Sequence, residues 1–217
     1  MKNILLPALL LLGLLLSACA APAPQQTPEP TPQPEEFPPC DVLFIGHSLT
    51  AYGKFGDYFP DKVVVNLGIP GGVIEDMIGR VPTAAAHAPK KIFVMAAAND
   101  LFDEELDMDR VEEQYRELLD ALLEACPDAE IYIESELPVT KRSASSWGIN
   151  NKTIRQFNER VKAMAEEYGL EYLDIYSAYD YHGGLKEELS EDGVHLKTAA
   201  YSYWADIIRP YIEGDEK

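Results

Sequence analysis

From Asp41 onward the chain alternates short apolar runs with longer stretches in which apolar residues return every three or four positions. The runs DVLFIG (41–46), KVVVNLG (62–68), KKIFVMAA (90–97), EIYIES (130–135) and LEYLDI (170–175) are nearly continuous in hydrophobicity. Strands covered on both faces read this way, because neither side of them meets water. Between the third and fourth runs, residues 107–126 set Val111, Tyr115, Leu118, Leu119, Leu122 and Leu123 on one helical face. Between the fourth and fifth, Ile154, Phe157, Val161, Met164 and Ala165 do the same. A last helix over about 197–212 aligns Ala200, Trp204, Ile207 and Ile208. This alternation predicts a five-stranded parallel sheet with helices on both sides.

The first 39 residues follow another pattern. Lys2 precedes an apolar run from Ile4 to Leu16, short for a bilayer span and of the length of a signal-peptide core. Leu16-Ser17-Ala18-Cys19 resembles a bacterial lipobox, which implies a lipoprotein signal over 1–18 and a lipid on Cys19. Eight prolines fall among the twenty residues from Ala20 to Pro39. Such a segment favours extended polyproline II and, at ~3.1 Å per residue, reaches up to about 60 Å. The expected organisation is a signal (1–18), an acylated cysteine with a Pro-rich linker (19–39) and one domain (40–217). The domain would then sit outside the cytoplasmic membrane, held to it by lipid.

Acidic residues outnumber basic ones, 37 to 18, for a formal charge of −19. That balance disfavours nucleic acid and anionic headgroups as ligands, which it would repel. Charge leaves the reaction open. Cys40 and Cys126 each precede a predicted strand, and an oxidising compartment would let them pair, a point that spacing leaves undecided. Without a Cys-x-x-Cys or matching His spacing they give no zinc site, and neither metal nor cofactor is expected.

In parallel α/β sheets, ligands bind beyond the carboxyl ends of the strands. Ser48 follows the first run, Gly71 and Gly72 the second, Asn99 and Asp100 the third. The fifth leads to SEDGVHL (190–196), with Asp192 and His195. A serine hydroxyl needs a base to become a nucleophile at neutral pH. His195 is the candidate base, with Asp192 accepting from its other ring nitrogen. The backbone N–H groups of Ser48 and Gly71 and the side-chain amide of Asn99 are the donors available to an oxyanion. Ser48 is also a candidate cap for the helix that follows it. His47 adjoins Ser48, but neighbouring side chains at a tight turn diverge, so His47 is expected to shape the turn. Asn66 and Asp100 are expected to brace their loops, and His87 and His182 to be surface or loop residues.

Four blocks, in this order, resemble the SGNH hydrolases, the GDSL esterase/lipase superfamily. Gly46-His47-Ser48-Leu49 matches the family's Gly-Asp-Ser-Leu, and NLGIPGG (66–72) carries its asparagine with Gly71 five residues on. AAND (97–100) matches Gly-x-Asn-Asp, and DGVH (192–195) matches Asp-x-x-His. The resemblance covers Asp41 to about Tyr211 and implies a flavodoxin-like three-layer α/β/α fold and hydrolysis of esters, often acetyl esters. It implies Ser48, His195 and Asp192 as a triad, with Ser48, Gly71 and Asn99 around the oxyanion. His47 departs from the usual Asp and Ala97 from the usual Gly. Neither is one of the family's four named catalytic positions, so both are expected to tune activity rather than abolish it. The α/β-hydrolase elbow, Gly-x-Ser-x-Gly, does not fit, since Thr50 stands at its second glycine.

Trp147, Tyr179, Tyr181 and His182 either offer aromatic faces to a sugar ring or are ordinary packing, and no long apolar insertion suggests a lipase lid. The expected activity is removal of a small O-acetyl group from a carbohydrate. The rivals are a lysophospholipase or short-chain acyl esterase with an acyl lipid in place of an acetylated glycan, an acyltransferase that moves the acyl group to a sugar hydroxyl rather than water, and a non-catalytic glycan-binding lipoprotein.

Overall fold

A computed structural model of the chain describes residues 37–102, 105–146 and 150–214. The chain divides into two units, Met1–Glu35 and Glu36–Lys217. The expected signal over 1–18, Cys19, the expected linker through residue 36, and Trp147 lie outside the described residues.

The strands are β1 (Val42–Gly46), β2 (Val64–Asn66), β3 (Lys91–Met95), β4 (Glu130–Glu134) and β5 (Glu171–Leu173). They form one parallel sheet in the order β2-β1-β3-β4-β5. Two of the runs are much shorter as strands than the sequence predicts, and these are the edges, β2 and β5. An edge strand has one neighbour to pair with, so its ends are less firmly held than those of β1 and β3, which are buried throughout.

The helices are α1 (Ser48–Tyr52), α2 (Phe55–Tyr58), α3 (Ile74–Ile78), α4 (Val81–Ala86), α5 (Met108–Ala125), α6 (Lys141–Ser146), α7 (Asn151–Tyr168), α8 (Tyr176–Tyr179) and α9 (Tyr201–Glu213). Because successive strand side chains point to opposite faces, each strand feeds two apolar layers. Leu43, Ile45, Ile92, Val94, Ile131 and Ile133 pack with apolar residues of α3, α4, α5 and α7. Val42, Phe44, Phe93, Met95 and Tyr132 pack with α2, α8 and α9, where Trp204 is fully buried. The result is the three-layer α/β/α fold.

The long helices have clear start signals. Asp107 accepts the N–H groups of Asp109 and Arg110 ahead of α5, and Asn150 accepts that of Lys152 ahead of α7. Cys40 and Cys126 are both buried in one apolar layer and both free, so the disulfide left open by spacing is not formed. Burial pushes the Cys40 thiol up to about 11, which keeps it unreactive. Among the described residues no helix is long and apolar enough to cross a membrane.

Candidate active site

The carboxyl ends of β1, β3 and β4 meet at one cavity of about 220 Å³. Ser48, Asn99, Asp192 and His195, from three separate segments, all line it. Much of its wall is apolar, from Leu49, Phe102, Leu137, Val139, Ile154 and Val194.

The chain turns sharply out of β1, and Ser48 becomes the first residue of α1. Its Oγ lies 2.9 Å from His195 Nε2, a hydrogen bond across 147 positions of sequence. His195 Nδ1 lies 2.6 Å from Asp192 Oδ2. With Asp192 ionised, Nδ1 donates to it and Nε2 is left to accept from the Ser48 hydroxyl.

Asp192 reaches this position through its own loop. Its Oδ1 accepts the N–H of Val194 at 2.9 Å and of His195 at 2.8 Å. Burial raises the Asp192 carboxyl. The hydrogen bonds from the His195 ring and these two backbone groups outweigh that, and hold it at about 2. Ser190 Oγ donates to the His195 carbonyl at 2.6 Å and accepts the Gly193 N–H at 2.8 Å. Ser143 Oγ donates to the Asp192 carbonyl, and Thr140 N–H to the Gly193 carbonyl, each at 2.8 Å. Gly193 itself has φ +90°, and a Cβ there would collide with Ser143 Oγ. Only glycine fits both restrictions.

Of the donors expected around an oxyanion, Ser48 and Asn99 line the cavity, and a second set of bonds ties the loop that carries Gly71 to their segments. Ile69 N–H donates to Gly46 O at 2.8 Å, tying the loop after β2 to the end of β1. Asn99 Nδ2 donates one hydrogen to Gly72 O at 2.8 Å, which fixes the amide and leaves its second hydrogen. Gly71 adopts φ +74° and is exposed; it is not among the described residues lining the cavity. Neither Ser48 N–H nor Gly71 N–H meets an acceptor among the described residues. Both remain available to a ligand.

Asn66 and Asp100 brace their loops as expected. Asn66 Nδ2 donates to Thr50 O at 2.7 Å and Gly53 O at 2.9 Å, and its Oδ1 accepts Gly68 N–H. Asp100 accepts Ile74 N–H at the start of α3, and burial pushes its carboxyl up to about 6. The cap of α1 is a correction. Ser48 does not fill that role; His47 does, with Nδ1 accepting Leu49 N–H at 3.3 Å.

The aromatic expectations divide. Tyr179 is core, its hydroxyl donating to Ala200 O, while Tyr181 is exposed beside His182. The ring set against His195 is one the sequence did not single out, Tyr52. It is 51% exposed and sets an edge against the His195 ring, centroids 5.3 Å apart. Glu136 was also missed. It lines the cavity from beyond β4 while its side chain is buried. Nothing local marks it, since Glu136 follows Glu134 and Ser135 in a stretch that is already polar. Among the described residues, no cluster of three or more His, Cys, Asp or Glu side chains could hold a metal ion.

The model of the GDSL-like lipase/acylhydrolase family matches residues 44–203. No curated protein matches the chain. Among solved structures, a Streptococcus pneumoniae protein provisionally described as a platelet activating factor is 26% identical, with 81% of this chain and 84% of that one covered and a TM-score of 0.71. A GDSL-like lipase from Bacteroides thetaiotaomicron is 19% identical over 84% and 91% of the two chains, with a TM-score of 0.69. An acetylxylan esterase from Geobacillus stearothermophilus is 20% identical over 82% and 96%, with a TM-score of 0.63. The two more distant likenesses speak for the fold alone. With the family model spanning most of the domain, the chain belongs to the GDSL-like lipase/acylhydrolase family and is a hydrolase of ester bonds.

Proposed function

We propose that the chain is a serine carboxylesterase that removes a small O-acyl group, foremost acetyl, from a carbohydrate. The observation that carries the chemistry is the unbroken line from Ser48 Oγ through His195 to Asp192. Ser48 Oγ attacks the ester carbonyl as His195 Nε2 takes its proton. Asp192 holds the ring and favours the imidazolium that forms. The carbonyl oxygen becomes an oxyanion, met by Ser48 N–H, Gly71 N–H and the free Asn99 amide hydrogen. The tetrahedral centre collapses, His195 returns the proton to the alcohol oxygen, and the acyl group stays on Ser48. Water, deprotonated by His195, then releases the acid by the same route.

Tyr52 supports the carbohydrate alcohol. An exposed ring at the edge of His195 gives a sugar an apolar face beside the atom that protonates it. A structural neighbour described as an acetylxylan esterase points the same way. A second reading, a longer acyl chain, is favoured by the apolar wall, since the cavity volume of about 220 Å³ exceeds what an acetyl methyl needs. Cys19 carries the lipid in this proposal, and the linker holds the domain outside the membrane.

Turnover of nitrophenyl esters from acetate to octanoate tests both readings. A steep preference for acetate, with an acetylated xylo-oligosaccharide hydrolysed faster still, supports the first. An optimum at six to eight carbons supports the second, and undiminished turnover by S48A sinks the mechanism itself. Mass measurement of the membrane-extracted N-terminus decides the lipid.

A further inference from the structure

The nucleophile rides on a helix that cannot hold itself in place. α1 has five residues, little more than one turn, and a single turn is unstable in isolation. The position of Ser48 is therefore imposed by ties to other elements. Near its C-terminal end α1 is tied by Asn66 to Thr50 O and Gly53 O, and in its first turn the Tyr201 hydroxyl donates to Leu49 O at 2.8 Å. At its N-terminal end, where Ser48 sits, the side-chain cap is His47.

We infer that His47 and Glu136 together are positioning residues for Ser48, an inference that rests on the esterase reading above. His47 Nδ1 accepts Leu49 N–H, so the ring proton is on Nε2, which donates to Glu136 Oε2 at 2.9 Å. The two side chains are 1% and 3% exposed. Glu136 is itself held from both sides of its peptide by Asn158 of α7. Its N–H donates to Asn158 Oδ1 at 2.9 Å, and Asn158 Nδ2 donates to its carbonyl at 2.9 Å. A continuous line of hydrogen bonds thus runs from an 18-residue helix to the turn that carries the nucleophile. It passes from the end of β4 to the end of β1, across β3, which lies between them in the sheet.

Two further observations set this pair apart from ordinary packing. The cap takes the N–H of Leu49 and leaves that of Ser48 without an acceptor among the described residues, so the oxyanion donor is spared. The pair also has a stability cost. Glu136 Oε1 is buried with no hydrogen-bond partner, and half-satisfied buried carboxylates are destabilising. An apolar pair of the same shape would avoid that penalty but could not cap Leu49 N–H or link α1 to α7.

The test compares H47A, H47N, E136L, E136Q and the double variant H47A/E136L with wild type on nitrophenyl acetate. kcat, KM, the rate of fluorophosphonate labelling of Ser48 and thermal melting are read for each. H47A and E136L are expected to lower kcat and labelling about 10- to 100-fold, with KM within about threefold, as misplacement of a reacting group does. The double variant should be no slower than the slower single one, because both break the same line. In E136Q the amide oxygen still accepts Nε2–H, and kcat should return to within about threefold of wild type. H47N keeps an oxygen cap for Leu49 N–H and so keeps the fold if H47A does not, yet it loses the link to Glu136 and should be slow. Wild-type kcat in folded H47N, losses that multiply in the double variant, or E136Q as slow as E136L would overturn the inference. A dead S48A beside a fully active H47N removes this inference alone. A fully active S48A removes the esterase mechanism beneath it.

Discussion

At the residue scale, the two departures from the family pattern have separate physical meanings. Ala97 stands where the family usually has glycine, and its φ is +108°. Residues with a Cβ pay for that conformation, typically ~1–3 kcal/mol. A97G should therefore raise the unfolding free energy by about 1 kcal/mol, after the loss of one buried methyl is set against the strain. Denaturant melts measure this directly, and an unchanged or lower midpoint would remove strain from the account. His47 was legible as something other than the base for Ser48, because adjacent side chains diverge at a turn. Its actual partner was not legible. Glu136 lies 89 positions away, beyond a different strand, and nothing local in either sequence marks the pair. Tyr52 was hidden for the same reason, since its neighbour His195 is brought to it only by the fold.

At the scale of elements, the parts visible in the sequence are those with a strong period or a continuous apolar run. All five strands and the helices α5, α7 and α9 fall where the pattern predicts, with only the edge strands much shortened. The short helices α2, α3, α4, α6 and α8 carry four to six residues each, too few for a helical period to show. In the loop from Ser190 to Leu196 the pairing of Asp192 with His195 was legible, but the loop as a mechanical unit was not. Ser190, Gly193 and Ser143 give it its shape. G193A forces a Cβ into Ser143 Oγ at a left-handed φ, so the loop must shift and carry His195 with it. A kcat loss of about 100-fold is expected, against a much smaller change in KM. Steady-state kinetics on a soluble ester checks it; unaltered kcat would mean that the loop tolerates displacement.

At the scale of the whole molecule, one buried carboxylate links the sheet to the layer formed by α9. Glu134, at the end of β4, accepts Trp204 Nε1–H at 2.6 Å, and its other oxygen has no partner. Burial, with the nearby Glu136 charge, raises its carboxyl from 4.5 to about 8. The folded chain thus keeps a proton that the unfolded chain releases above 4.5. Stability should fall as pH rises from about 4.5 to about 8 and level off beyond. E134Q cannot titrate, so the difference between its melting temperature and that of wild type should widen across this window. A constant difference would contradict a protonated Glu134. The central claim, that Ser48 is a nucleophile activated by His195, has a more direct test. Wild type and H195A are treated with a fluorophosphonate, and the adduct is located by peptide mass spectrometry. The account predicts a single adduct on Ser48 in wild type, formed at least 100-fold more slowly in H195A. An adduct on another residue, or equal labelling rates in the two proteins, would contradict it.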